Sequence, residues 1–377
     1  EMERIGVDPA GIRLMTPKHL HYNLMLRSLS SAEANIIKQE ILSIGGELAV
    51  SKGTVSAEVD RTDALLSGTE AELRYLTSKL STQPFGLKDI SVALTTSLDN
   101  TIRAEFTIKG NAKSISVGTT PLIMGILNVT PDSFSDGGKF ESPDLAIKKA
   151  LEMIDEGADI IDIGGESTRP GAPAVSEDEE LKRVMPVITG LAGEDILISV
   201  DTRKAGVASR ALSEGAWMIN DVSAMTADPE MVTVVRESGA AIALMHMRGV
   251  PESMQDNVEY SDLIGEVFDY LAGRVAFAEA EGIDSDAIII DPGIGFGKSS
   301  AGNFEIINRL SEFSAIGRPV LIGPSRKSFL GGATPDRLTG TTAALTASVM
   351  NGARLLRVHD VREAKEAARV VRLIKGH

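Results

Sequence analysis

Asp201, Asn220 and Asp291 each close a short apolar run, in ILISVD, AWMIN and AIIID. Two carboxylates and one amide converging from three strands would suit a flat heterocycle rich in N–H donors, because an ionised carboxylate only accepts hydrogen bonds. A second set is cationic or switchable: Arg169, Lys327, Arg357 and His359. These residues stand in a chain with 53 Asp and Glu against 38 Lys and Arg, a formal net charge of -15. Gathered at one mouth of an acidic protein, they point to an anion, with phosphate or diphosphate the best match for guanidinium forks. Arg357 and His359 are two residues apart, so on a strand both side chains project to one face. Helix capping is a competing reading of the Asp and Asn residues, which often open the helix of a βα unit. It does not extend to Arg169, Lys327, Arg357 or His359.

Other chemistries are excluded or weakened. The chain has no cysteine, so disulfides, thiolate catalysis and cysteine-bound metal are ruled out. The negative charge argues against non-specific binding to nucleic acid. DPGIGFGKS, Asp291 to Ser299, has the look of a nucleotide loop, but Pro292 stands where a Walker A loop needs glycine. Gly293, Gly295 and Gly297 instead allow backbone to approach a ligand, with Phe296 offering an aromatic face; a plain tight βα connection is the alternative. His19 and His21 beside Lys18 read as surface.

The elements that must carry these residues follow a regular order. The apolar run Leu122 to Leu127 stops at Asn128 and a long polar loop containing Asp132, Ser133, Ser135 and Asp136. Seven more strand-length apolar runs follow: Asp159 to Gly164, Ile196 to Val200, Ala216 to Asn220, Ala240 to His246, Ala287 to Asp291, Pro319 to Gly323 and Arg354 to His359. Helical segments are expected near 143–156, 176–190, 204–213, 229–238, 261–281, 302–314, 341–352 and 360–374. Eight βα units in succession predict an α/β fold, a (β/α)8 TIM barrel over residues 113–377, with ligands at the carboxyl ends of its strands. Residues 1–112 read as a separate small α+β accessory domain, ferredoxin-like in outline. Its strand is expected at His21 to Leu29, its first helix capped by Ser31, extended chain over Glu47 to Val59 and Asp63 to Leu66, and a capping box at Thr69 and Glu72 opening a helix over Glu70 to Leu80. Lys88 to Asn100 follows, then a link through Thr107 to Thr120. No signal peptide or long apolar span is visible, which predicts a cytoplasmic protein with no membrane partner.

MGILNVTPDSFSDGG, GGESTRPGA, SVDTRK, INDVSA, MHMRGVPESMQ, DPGIGFGK, GPSRKSFLG and RVHDV resemble, segment by segment and in order, the dihydropteroate synthase family. The resemblance covers Pro121 to Gly376. It implies a (β/α)8 barrel, commonly a homodimer, that joins 4-aminobenzoate to 6-hydroxymethyl-7,8-dihydropterin diphosphate with loss of diphosphate, using Mg2+. Sulfonamides compete for the aminobenzoate position. Carried over residue by residue, it implies that Asp201, Asn220, Asp291 and Lys327 hold the pterin, with Met245 and Phe296 along its ring. It further assigns Arg357 and His359 to the departing diphosphate and Asn128 to the magnesium. Asp136, Thr168, Arg169 and Pro170 would close over the site, and Phe134, Lys327 and Ser328 would border aminobenzoate. The first 110 residues are the departure, since the minimal enzyme of the family lacks them. A methyltetrahydrofolate-dependent methyltransferase could share such a pterin floor, yet has no use for an Asn-held metal and an Arg-x-His diphosphate site. A barrel retaining ligand binding without turnover is a third reading, against which Asp136, Thr168 and Arg169 count.

Overall fold

A strand buried on both faces carries apolar side chains at successive positions, and the barrel runs of this chain do so. The computed structural model describes residues 1–130, 143–167, 174–249, 254 and 258–376. It divides into two compact units, Glu1–Ile102 and Arg103–His377.

In the second unit eight parallel strands alternate with helices. The strands are β6 (Leu122–Asn128), β7 (Ile160–Gly164), β8 (Leu197–Asp201), β9 (Met218–Asp221), β10 (Ala241–Met245), β11 (Ile288–Asp291), β12 (Leu321–Ile322) and β13 (Leu355–Val358). Their order is β11-β10-β9-β8-β7-β6-β13-β12. A parallel bridge between Ile290 and Val320 joins the two ends and closes the barrel. Period-two alternation then sorts the side chains. Ile123, Ile161, Ile163, Ile198, Val200, Ile219, Ile242, Leu244, Ile290 and Leu356 belong to the core shared with the helices. Leu122, Met124, Ile160, Met218, Ala241, Ala243, Ile289, Leu321 and Leu355 form a second, inner cluster. Continuing the inner alternation toward the carboxyl ends brings Asp162, Ser199, Asp201, Asn220, Met245, Asp291 and Arg357 inward. The barrel interior is thus apolar below and polar above.

The inner cluster is plugged from below by a hairpin, β4 (Phe106–Gly110) and β5 (Lys113–Val117), which contributes Phe106, Ile108 and Val117. Asn111 donates to the Ala216 carbonyl at 2.8 Å, and the Trp217 indole donates to the Lys113 carbonyl at 3.0 Å. A Cβ on Gly110 would fall 2.6 Å from the Trp217 carbonyl, so glycine admits this approach. The hairpin therefore belongs to the barrel unit, and the boundary at 102/103 corrects the expected 112. The expected link through Thr107 to Thr120 is mostly this floor.

The first unit has an antiparallel sheet of β1 (His21–Ser30), β2 (Glu47–Val50) and β3 (Arg61–Thr69) in the order β1-β3-β2. Helix α1 (Pro9–Met15) precedes the sheet, and helices α2 (Ser31–Leu42), α3 (Glu70–Leu80) and α4 (Leu87–Thr101) share with it a core that includes Ile37, Ile41, Leu48, Leu66, Leu73, Leu76 and Leu94. Capping boxes open α2 from Ser30, one residue before the expected Ser31, and α3 from Thr69. This is the ferredoxin-like order with α4 where a fourth strand would follow. Of the extended chain expected over Glu47 to Val59, only Glu47–Val50 is strand; beyond it the chain turns at Gly53.

Candidate active site

Asp162 lies at the centre of the polar layer. Fully buried in the middle of β7, it accepts from Ser199 Oγ at 2.7 Å, from Asn220 Nδ2 at 3.2 Å and from Arg357 Nε at 2.6 Å. Arg357 donates through Nη2 to Asp201 Oδ2, also at 2.6 Å. One arginine on β13 therefore ties together carboxylates from β7 and β8, and Asn220 from β9 joins the same network. Burial pushes the Asp201 carboxyl up to about 7, with the Arg357 guanidinium pulling the other way. The Arg357 guanidinium is held above its usual range by Asp162 and Asp201, against the effect of its own burial. Charges cost most where they are desolvated, so this cluster is tolerable only because each member is paired.

The other wall is the loop after β11. Asp291 is buried, and burial raises its carboxyl even though Oδ1 accepts from Gly293 N at 2.7 Å. Gly293 needs to be glycine: its φ is +71° and a Cβ there would meet the His246 carbonyl at 1.9 Å. Lys327 donates to the Ile294 carbonyl, and its Nζ sits 4.4 Å from the centre of the Phe296 ring. Burial draws the Lys327 amine down to about 8, opposed chiefly by Asp291. Lys327 follows Arg326, a non-glycine residue at φ +56°, a costly conformation for an L side chain. The guanidinium of Arg326 is anchored on Asp360 and its backbone N–H on Thr341 Oγ1. Above them, His359 Nδ1 and Ser325 Oγ are 3.0 Å apart. Asn128, partly buried at the end of β6, has its Oδ1 3.7 Å from where a Cβ on Gly164 would lie, beside the neighbouring strand.

Two carboxylates, an amide, a lysine and an arginine converge on a barrel mouth, with an aromatic ring and the buried Met245 beside them. Residues 124–359 match the family described as pterin binding enzyme. The chain belongs to that family. Among the relatives of this pterin-binding chain is the dihydropteroate synthase of Synechocystis sp., 47% identical over 259 residues, covering 67% of this chain and 90% of that protein. A probable bifunctional folylpolyglutamate synthase/dihydropteroate synthase of Halobacterium salinarum is 43% identical over 372 residues, 98% of this chain. The chain spans only 45% of that protein's length. A crystal structure of Yersinia pestis dihydropteroate synthase with a sulfonamide drug superposes with a TM-score of 0.68 at 40% identity, covering 72% of this chain and all of that one.

The structure brings Asp201, Asn220, Met245, Asp291, Phe296, Lys327, Arg357, His359 and Asn128 to the carboxyl-terminal mouth of the barrel. Ser328 follows Lys327 as an exposed residue. Phe134, Asp136, Thr168, Arg169 and Pro170 lie outside the described residues. Arg357 pairs with Asp162 and Asp201, and His359 lies beside Ser325. Sequence reasoning missed Asp162. Its signal was a lone acid inside IIDIG, where every neighbour is apolar, while attention went to strand ends.

Proposed function

We propose that this chain is a dihydropteroate synthase, condensing 6-hydroxymethyl-7,8-dihydropterin diphosphate with 4-aminobenzoate to give 7,8-dihydropteroate and diphosphate. The observation that carries this reading is the floor of Asp162, Asp201, Asn220 and Asp291 facing Arg357 and Lys327, on a chain whose pterin-binding relatives bear that name. Asp201 and Asp291 accept from the pterin's N–H groups, Asn220 offers both donor and acceptor, and Met245 and Phe296 flank the ring. Breaking the methylene C–O bond sends its electron pair out with diphosphate. The anion left behind is held by His359 and by the remaining nitrogen of Arg357, Nη1, while Lys327 lies against the pterin. The cation on the pterinylmethyl carbon is stabilised by the nearby carboxylates. The aminobenzoate nitrogen then bonds to that carbon and loses its proton to solvent. No nucleophilic side chain is needed. Phe134, Lys327 and Ser328 border aminobenzoate, with Asp136, Thr168, Arg169 and Pro170 as further contributors.

Magnesium takes hard oxygen ligands and is often held by one or two protein groups plus substrate phosphates. Among the described residues no group of three or more His, Asp or Glu could hold a metal. A single amide oxygen, Asn128 Oδ1, completed by diphosphate oxygens, fits that pattern. Mg2+ bound there would neutralise charge on the departing diphosphate. Asn128→Ala should raise the Mg2+ concentration needed for half-maximal rate by about tenfold, the worth of one such ligand at about 1.4 kcal/mol. An unchanged Mg2+ requirement would move the metal elsewhere. Diphosphate inhibition together with Mg2+ dependence also separates this reading from methyl transfer, which uses neither.

The first unit contributes no catalytic group in this proposal, since every assigned residue lies after Ile102. Protein beginning at Arg103 should keep its barrel circular dichroism and Mg2+-dependent condensation. Complete loss of turnover in a folded truncation would show that residues 1–102 reach the site. We also propose a homodimer, and sedimentation giving only the 40.0 kDa monomer at assay concentration would remove that assignment. No described helix is long and apolar enough to cross a membrane; a cytoplasmic location belongs to the proposal as well, and recovery in the membrane fraction after cell breakage would contradict it.

A further inference from the structure

Lys298 is a lysine that none of the steps above uses, yet it is 3% exposed. Its Nζ lies 2.9 Å from His246 Nδ1, and it donates to the carbonyls of Gly293 at 2.9 Å, Phe296 at 3.0 Å and His246 at 3.3 Å. Three of these acceptors are main-chain oxygens, and two belong to the turn Gly293–Gly297. A lysine folded back inside its own loop therefore substitutes for the secondary structure that the loop lacks. Burial lowers the Lys298 amine well below its usual range, and burial together with Lys298 takes the His246 imidazole down to about 3. His246 is thus neutral at neutral pH. The charged groups that bear on Lys298 are Asp291 and Lys327.

The same loop is fixed from two other directions. Asn303 Oδ1 accepts from Gly295 N at 2.7 Å, and the Tyr260 hydroxyl donates to the Gly297 carbonyl at 2.8 Å. Its outer surface supports the site: Ile294 supplies the carbonyl that Lys327 reaches and Phe296 the ring under it. A Cβ on Gly295 would stand 2.8 Å from Lys327 Cδ, so loop and lysine stem are in direct contact.

We propose that Lys298 is a positioning residue, one that sets the shape of the Gly293–Gly297 turn from within and thereby places Phe296 and Lys327 against bound pterin. The inference rests on the pterin-binding reading of the site given above. Lys298 touches no reacting atom. Its effect passes through the Phe296 and Gly293 carbonyls to the two side chains that do the binding.

The test is Lys298→Met in the full-length chain, which keeps an unbranched stem and removes the donors. Pterin affinity by calorimetry, steady-state constants, the pH profile and the melting temperature are measured together. The expected result is a folded protein whose Kd for 6-hydroxymethylpterin rises by about tenfold, the size of one lost charge-assisted contact. The alkaline limb of kcat/KM should also move. In the wild type it should follow Lys327, near 8, under the influence of Asp291, Arg357 and Asp201. With the turn loosened Lys327 becomes better solvated, and the limb shifts upward. A structural role alone would lower the melting temperature and leave pterin affinity and the limb in place, which would overturn the proposal. Should Lys298→Met not fold, Tyr260→Phe removes one bond to the same turn, and a rise of about twofold in Kd is expected from this weaker, neutral hydrogen bond. Wild-type affinity in that variant would overturn the proposal equally. Failure of the wild-type chain itself to bind the pterin would sink the functional reading instead, so the two failures are distinguishable.

Discussion

Asp291→Ala will weaken pterin binding by roughly ten- to several-hundredfold and leave the fold intact. A hydrogen bond to a charged group contributes about 1.5 to 3 kcal/mol, and the ligand donor stranded opposite the alanine adds about 1 to 3 kcal/mol. Within the protein the carboxylate accepts from Gly293 N, in its own loop, and its charge also bears on Lys327, Lys298 and Arg357. Isothermal titration with 6-hydroxymethylpterin checks it, alongside a melting curve within a few degrees of the wild type. Retained wild-type affinity would remove Asp291 from the pterin site. Asp201→Ala should lose affinity to a similar degree, but less cleanly, since it also unpairs one arm of Arg357.

Arg357→Ala carries the largest expected cost in stability. It takes the guanidinium from Asp201, with a side chain 7% exposed, and from Asp162, fully buried, which keeps Ser199 and Asn220 as donors but loses its countercharge. Breaking a buried ion pair by removing one partner costs about 3 to 5 kcal/mol. The loss depends on pH in a definite direction. A carboxyl whose folded pKa is raised binds more protons folded than unfolded, so its contribution is present at low pH and is lost as pH rises. For Asp201 in the wild type that loss runs from about 4, the unfolded value, through about 7, where burial places it even with Arg357 present. Removing Arg357 raises the folded value further, so below pH 7 the carboxyl is protonated in both folded proteins, and the deficit of the variant should widen as pH rises above 7. Urea denaturation on both sides of pH 7 measures it, and a deficit that is constant with pH would contradict the account. At a pH where the variant is folded, its affinity for the pterin diphosphate should drop more than its affinity for the same pterin without diphosphate. Equal losses would make the arginine structural.

These two residues also show what a sequence can disclose. Asp291 was legible because it ends an apolar strand and begins a glycine-rich turn, a pattern in which a carboxylate has few structural duties. Arg357 was legible as a cation that helix capping does not explain, but its partners Asp162 and Asp201 were not. Asp162 belongs to a different strand, and only closure of the barrel puts it beside Arg357. The eight strands could be read from apolar runs since both faces are buried, whereas their pairing order and the Ile290 to Val320 bridge come from tertiary structure. The hairpin at Phe106–Val117 passed for a link because its strands are short, half polar, and joined at Asn111 and Ala112, the latter at φ +65°. Lys298 was hidden by its neighbours: GFGKS drew attention as a nucleotide loop, and the lysine that such a loop would aim at phosphate is here turned inward onto carbonyls. The assignments within 131–142 and 168–173 rest on resemblance alone.

The central claim is that one polar barrel mouth holds a pterin diphosphate and gives up its diphosphate to an aromatic amine. Purified protein supplied with 6-hydroxymethyl-7,8-dihydropterin diphosphate, 4-aminobenzoate and Mg2+ should form 7,8-dihydropteroate and free diphosphate in equal amounts, with neither product when either substrate or the metal is withheld. Tight pterin binding without pteroate or diphosphate formation would contradict it and leave a barrel that binds but does not turn over.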